Sequence, residues 1–325
     1  MKTPILFLTW IRPDVTAEVF SQIRKAKPER LYIAQDGPRC EEERTLMMQT
    51  RDVIKVDWDC EVKYLHREEN LGCKRGVSEA ITWFFEQEEM GIILEDDCYP
   101  DMSFFPFCEE LLEKYKDDTR VMHICGRPDI KYFNKRDISE RSYYYTKILG
   151  CWGWASWRRA WQYFDINMSN FNDFVKESAI DKFLPCDPNI NRYLEIFKSH
   201  STGKEKGWAW IYAYSLLCQN ALCIRSSKVL INNIGVNHEI STHKHSGAAD
   251  VIYKKEVAEF PLIHPNFMVA ENYINQKELN KKTLLKKEVL SNGRVKFYLF
   301  GKRIYSYKTK NTKILNQKIE LINLD

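Results

Sequence analysis

The stretch Gly91-Ile92-Ile93-Leu94-Glu95-Asp96-Asp97 is an apolar run that ends in three consecutive carboxylates. A short apolar run after a glycine reads as a central strand, with the acids at its carboxyl-terminal mouth. Three adjacent carboxylates repel one another, so holding them together costs free energy unless a cation sits among them. A hard divalent ion meets that need, because carboxylate oxygens suit magnesium or manganese when substrate phosphates complete the coordination shell. A solvated acidic loop is the plainer alternative, and the rest of the chain has to decide between them.

The residues upstream and downstream repeat the strand-helix alternation. Strands are expected over 5–10, 31–34, 61–65, 92–94 and 121–125, with helices over 15–25, 41–53, 74–87 and 106–116. Strands separated by helices of ten to fifteen residues imply an α/β fold, a mixed but mostly parallel sheet with helices on both faces. Ligands of such sheets bind beyond the carboxyl ends of the strands. Arg12, Asp36 and the acids 95–97 all fall at such ends and are expected to converge.

Composition narrows the class. With 44% hydrophobic residues in 325, the chain can bury a full core, and no apolar stretch approaches the roughly 20 residues that cross a bilayer. Residues 4–10 are too short an apolar run for a secretory signal and read as the first strand. The ten cysteines include no Cys-x-x-Cys pair, which favours reduced thiols and a cytoplasmic setting over a disulfide frame or a zinc site.

Charge is uneven. Residues 277–313 hold twelve Lys/Arg against Glu278 and Glu288, so this segment is +10 while the whole chain is +4. Within it, 280–290 reads as a short basic helix and 295–307 as two strands hinged at Gly301. A basic, aromatic appendage suggests peripheral contact with an anionic membrane, at the inner face of the cell membrane. No nucleic-acid recognition motif accompanies the charge, so nucleic acid is not expected as a partner. The expected organisation is a main domain over 1–270, divided near 127, and a basic appendage over 271–325.

The segment from about 130 onward is rich in aromatics beside glycine: Gly150-Cys151-Trp152-Gly153-Trp154 and Trp208-Ala209-Trp210-Ile211-Tyr212. Trp152, Trp154, Trp208 and Trp210 are either core residues or the apolar wall of a sugar-binding surface.

Taken in order, four segments resemble the GT-A glycosyltransferases, the Rossmann-like nucleotide-diphospho-sugar transferases. The likeness is greatest to the branch containing N-acetylglucosaminyltransferase I and its bacterial relatives in polysaccharide synthesis. The segments are Pro4–Arg12, Ala34-Gln35-Asp36-Gly37, Leu94-Glu95-Asp96-Asp97 with the following Pro100–Phe105, and Leu149–Trp154. The match spans roughly 4–245. The resemblance implies a nucleotide-sugar-binding half over 1–127 and an acceptor-binding half over 128–270. It implies Asp97 as the direct ligand of Mn2+ or Mg2+, with Glu95 and Asp96 orienting the donor. Thr9, Arg12 and Asp36 would hold the nucleotide of a UDP-sugar, whose sugar would be an N-acetylhexosamine or hexose. Residues 69–76 resemble a loop that closes over the donor, where Lys74 and Arg75 offer charge to phosphate at a helix start. His243, in a late Thr-His segment, would reach the metal or a phosphate. The four tryptophans would face a glycan or lipid-linked acceptor.

One position departs from the pattern. Inverting relatives carry an Asp after a Trp, and that Asp deprotonates the acceptor hydroxyl. Here the place is taken by Ala209, which has no proton-accepting group. Three readings stand open: an inactivating replacement of the base, a base supplied by Glu205 or Asp187, or a protein that binds a nucleotide sugar or glycan without transferring it. A sugar nucleotidyltransferase is a further rival, but Thr9-Trp10-Ile11-Arg12-Pro13 is not the Gly-rich basic loop it would need after the first strand.

Overall fold

The computed structural model describes residues 1–129, 140–185, 187, 189–236, 238–240, 256–271, 285–289, 294–299 and 302–308. The chain divides into two compact units, one of residues 1–185 and 189–272, the other of 186–188 and 273–325.

In the first unit the strand-helix alternation is realised. β1 (Ile5–Thr9), α1 (Pro13–Ala26), β2 (Arg30–Gln35), α2 (Glu41–Asp52), β3 (Glu61–His66), α3 (Gly72–Gln87) and β4 (Met90–Glu95) follow one another. Then come β5 (Cys98–Pro100), α4 (Phe104–Lys114), β6 (Val121–Cys125), β7 (Tyr143–Thr146) and β8 (Trp154–Trp157). Helices α5 (Arg158–Trp161), α6 (Phe171–Lys176), α7 (Ala179–Phe183), α8 (Ile190–Ser201) and α9 (Ala209–Cys218) precede β9 (Leu222–Ser226) and β10 (Ile231–Asn233). The main sheet runs β3-β2-β1-β4-β8-β6-β9-β7. β3, β2, β1 and β4 are parallel, β8 is antiparallel to both β4 and β6, β6 and β9 are parallel, and β7 returns along the edge. Six of the eight strands therefore point the same way, which is the mixed, mostly parallel α/β sheet expected from the sequence.

The opening stretch sits at the middle of this sheet because it is buried on both faces. Ile92 and Leu94 join a core that includes Phe7, Val19, Phe20 and Leu111, while Ile93 joins a second core with Ala80, Phe84, Trp154 and Ile211. Helices thus cover both faces, α1 and α4 on one and α3 and α9 on the other. Burying each Ile or Leu contributes roughly 1.5–3 kcal/mol, enough to hold the strand against the charge repulsion at its end. Gly91 is required at the entry: a β-carbon there would stand 2.9 Å from the Pro4 carbonyl oxygen and closer still to the Phe84 ring.

The second unit carries a three-stranded antiparallel sheet, β11 (Leu285–Val289), β12 (Arg294–Leu299) and β13 (Lys302–Lys308). The two strands flanking Gly301 are as expected. The expected basic helix is corrected, because Leu285–Val289 pairs with β12 from Leu285↔Leu299 to Val289↔Val295. Asn292-Gly293, a hairpin-favouring pair, lies between those strands in the sequence. The remainder of 280–290 lies outside the described residues.

No helix among the described residues is long and apolar enough to cross a membrane. The nine described cysteines are all free.

Candidate active site

β1 and β4 are adjacent and parallel, with Leu8 opposite Glu95. The residues that leave their carboxyl ends therefore arrive at the same place. Arg12 follows β1 and precedes Pro13, the first residue of α1. Its guanidinium makes a two-pronged contact with Asp96, Nε donating to Oδ2 at 3.3 Å and Nη2 to Oδ1, while Nη2 also lies 3.1 Å from Asp97 Oδ2. The chain supplies its own cation to the acid cluster. Burial works against the Arg12 charge, yet Asp96 and Asp97 outweigh it and raise the guanidinium above its ordinary range.

The three acids are consequently not equivalent. Burial, then the charges of Asp97 and Asp96, push the Glu95 carboxyl up, with Arg12 opposing. Burial also raises Asp96, with Arg12 opposing. Asp97 has more room than Asp96: its side chain is 14% exposed against 6%. The Cys98 thiol donates to Asp97 Oδ1 at 3.5 Å, and burial, followed by Asp97 and Glu95, holds that thiol well above its usual range, hence protonated.

This donor set fits a hard ion. It offers carboxylate oxygen and no thiolate, but the three acids do not converge as a closed metal cage: no group of three or more His, Cys, Asp or Glu suited to a metal occurs among the described residues. An ion that takes one or two protein carboxylates and completes its shell with phosphate and water suits such a site, as magnesium and manganese do.

A turn after β10 closes over the pair. The Ile234 amide donates to the Asp97 carbonyl at 2.8 Å, and Gly235 N to Asn233 Oδ1 at 2.9 Å. A β-carbon on Gly235 would stand 2.6 Å from Arg12 Nη1 and 2.8 Å from Asp97 Oδ2. Beyond the turn, His238 Nε2 lies 3.1 Å from Asp14 Oδ2 in the first turn of α1. His243 lies outside the described residues.

Asp36 follows β2 and is committed to backbone. Its Oδ1 accepts from Gly37 N and Leu71 N at 3.0 Å, and its Oδ2 from Gly72 N at 3.0 Å and Leu71 N at 3.2 Å. The carboxylate thus caps α3, satisfying amide groups that would otherwise be orphaned at the helix start. The segment 69–72 is folded onto the Asp36-Gly37 turn, where the Gly37 carbonyl accepts from Trp10 Nε1 at 2.9 Å and Asn70 Nδ2 at 2.8 Å. Arg75 pairs with Glu79 one turn on, at 2.9 Å, on an exposed face. Lys74 lies in the same first turn, and its carbonyl accepts from Ser78 at 2.7 Å. Thr9 is buried, its hydroxyl 3.4 Å from the Ala34 carbonyl.

Sequence reasoning overlooked Cys73. The residue is exposed at the start of α3, and the charge of Glu95 favours its protonated thiol. Helix α9 begins at Ala209. Ala209 packs partly buried against the core that includes Trp154 and Trp208. A thiol two residues past a pinned turn carries no sequence signal that would have marked it.

The tryptophan expectation is corrected in part. Trp154 is 0% and Trp208 3% exposed, stacked on each other at 5.5 Å inside the core, with no face for a ligand. Trp210 packs on Tyr193 and Phe197 and is half-buried. Trp152 is half-buried beneath the Arg127 guanidinium, 4.5 Å from its ring. Of the four, Trp152 and Trp210 retain exposed surface. Glu205 is exposed in the turn before α9, while Asp187 falls in the second unit.

No protein-family model matches this chain, and no curated protein matches it. Among solved structures, a mannosyltransferase from Pyrobaculum calidifontis in complex with GDP-Man and Mn2+ is 13% identical, with a TM-score of 0.36 over 50% of this chain and 46% of that one. This chain thus spans less than half the length of that mannosyltransferase. A UDP-glucose pyrophosphorylase complexed with UDP-glucose is 11% identical, with a TM-score of 0.35 over 70% of this chain and 90% of that one. HddC from Yersinia pseudotuberculosis is 7% identical, with a TM-score of 0.29 over 49% of this chain and 78% of that one. Similarity at this level assigns no activity, so function has to be argued from the residues.

Proposed function

We propose that this chain is a GT-A-type glycosyltransferase that uses a nucleotide-diphospho-sugar and a divalent cation, the donor being a UDP-sugar and the reaction inverting. The observation that carries the reading is the junction of Arg12 with Asp96 and Asp97 at the carboxyl ends of two adjacent parallel strands. An open sheet binds its ligands at that edge, and a cationic fork beside exposed carboxylate oxygen suits a diphosphate with its counter-ion.

Asp97, with Asp96 beside it, would hold Mn2+ or Mg2+; when bound, the ion supplies Lewis-acid neutralisation of the departing nucleoside diphosphate. Arg12 binds the diphosphate charge through the part of its fork not spent on Asp96. Glu95, next to these two acids, would help orient the donor by accepting hydrogen bonds from its hydroxyls. Asp36 shapes the cleft by fixing the start of α3, and the half-buried Trp152 and Trp210 offer apolar surface to a sugar face. The acceptor is a glycan or lipid-linked sugar of bacterial surface polysaccharide, and the basic residues of 277–313 keep the enzyme near an anionic membrane face in the cytoplasm.

Position 209 is the first residue of α9, where an aspartate would be favoured by the helix dipole. With alanine there, no side chain at this position takes the acceptor proton. Transfer should therefore rise by about 10²-fold or more in Ala209→Asp, measured as sugar transferred from a panel of donors and acceptors with Mn2+ present or chelated. Equal transfer by both forms would remove the base assignment from position 209. Persistent inactivity of a folded, donor-binding Ala209→Asp protein would favour the non-catalytic nucleotide-sugar binder, a reading that Ala209 itself keeps open.

A further inference from the structure

We infer that Arg12 is a built-in counter-ion of Asp97 that a divalent cation displaces, so that cation binding redirects the guanidinium toward the donor diphosphate. This inference rests on the metal-dependent reading above and adds a mechanism by which the two ligands help each other.

The asymmetry of the fork is the starting point. Asp96 receives two nitrogens, Nε and Nη2, and is the more buried partner. Asp97 shares Nη2 with Asp96, at 3.1 Å, and is the more exposed. The Asp97 contact is therefore the weaker half of the junction and the half that an incoming ion reaches first. Gly235 covers Nη1 from above, since a β-carbon there would stand 2.6 Å away. A dipositive ion at Asp97 and a guanidinium at 3.1 Å from the same carboxylate would repel each other strongly in a partly buried site. The contact to Asp96 lets Arg12 remain while its shared nitrogen leaves Asp97. An unpaired donor beside a cation is then a place where an anion gains from both charges.

Two consequences are measurable. Without nucleotide, Arg12 competes with the ion and weakens its binding. With nucleoside diphosphate present, the guanidinium is engaged by the anion and that penalty is relieved, so the enhancement of ion binding by nucleotide, and the reciprocal enhancement of nucleotide binding by the ion, depend on Arg12.

Mn2+ titration of the full chain, followed by the electron paramagnetic resonance of free ion, separates the two. Arg12→Gln should bind Mn2+ alone about tenfold or more tighter than the parent, the scale expected for removing one neighbouring charge. The enhancement of Mn2+ affinity by UDP or GDP should fall about tenfold in the same variant. Arg12→Lys keeps the charge and loses the fork, so it should retain the parent affinity for Mn2+ alone while losing most of the enhancement; it also serves if Arg12→Gln does not fold. Unchanged or weaker Mn2+ binding by folded Arg12→Gln would overturn the inference, as would tenfold tighter binding by Arg12→Lys. Parent protein that binds no Mn2+ with or without nucleotide would overturn the metal-dependent reading as well, which distinguishes the two failures.

Discussion

Gly235 and Asp97 are so close that a β-carbon on the glycine would lie 2.8 Å from Oδ2 and 2.7 Å from Cβ of the aspartate. The far end of Arg12 can yield to such an atom, but Asp97 Cβ is fixed to a strand end and cannot. Gly235→Ala should therefore displace the Asp97 carboxylate or lift the turn after β10. We expect about tenfold or greater loss of affinity for Mn2+ with nucleotide, and a stability loss of about 1–3 kcal/mol, the range for overpacking a close contact. Calorimetric binding and denaturant unfolding check the two parts separately.

The capping role of Asp36 has its own signature. Asp36→Ala leaves the Leu71 and Gly72 amides without their acceptor, and should cost about 1–2 kcal/mol of stability, as lost helix caps do. Asp36→Asn retains one oxygen acceptor and should cost less. Urea unfolding of the three proteins is the measurement. Unaltered stability in Asp36→Ala would remove the cap from the account and leave only nucleotide contact for this residue.

The tryptophans should separate by burial. Trp208→Ala empties a site in the core stack with Trp154, and should cost about 3–5 kcal/mol. Trp152→Ala should cost much less stability while reducing saturation by acceptor sugars. Unfolding midpoints, together with the dependence of transfer on acceptor concentration in an active Ala209→Asp background, make the comparison.

Acid stability is governed in part by His123. Burial, with Arg225 nearby, pushes its imidazole from 6.5 down to about 3, although Nε2 donates to the Gly150 carbonyl at 2.8 Å. The unfolded chain therefore binds a proton that the folded chain refuses between about pH 3 and 6.5. This contribution is absent above about pH 6.5, destabilises by about 1.4 kcal/mol per pH unit on descending below it, and levels near pH 3. His123→Gln, which keeps a donor for Gly150, should flatten the stability profile in that window by up to one proton. A profile as steep as that of the parent would assign the acid sensitivity to other groups.

Much of the fold of the first 125 residues is legible because its signals are local. The run Val121–Cys125 forms a strand with the expected bounds, and Ile92–Leu94 and the helices around it follow from periodicity alone. What stayed hidden depends on partners distant in sequence. The capping of α3 by Asp36 carries no local signal, because the amides it accepts from lie 35 and 36 residues later. The antiparallel β8 between β4 and β6 cannot be inferred from a Gly-Trp segment whose residue types suit a wall or a core equally. Trp154 and Trp208 are core, because aromatic side chains of α5 and α9, Trp161 and Tyr212, pack against them. In the tail, the lysines between Leu285 and Val289 fit a helix or a strand, and pairing with β12 decides in favour of the strand. The acid triplet is legible in the sequence, but its ion pair with Arg12, more than 80 residues earlier, is not, because only the pairing of β1 with β4 brings the two together.

The account depends on Asp97 joining a divalent cation to a nucleoside diphosphate. Thermal unfolding with a panel of nucleotide sugars, with Mn2+ present or chelated, tests this in the parent and in Asp97→Asn, since a ligand that binds only the folded state stabilises it by mass action. We predict that one class of nucleotide sugar raises the melting temperature of the parent only with Mn2+, and that Asp97→Asn abolishes the shift while remaining folded. A metal-independent shift, or one that persists undiminished in Asp97→Asn, would contradict the account.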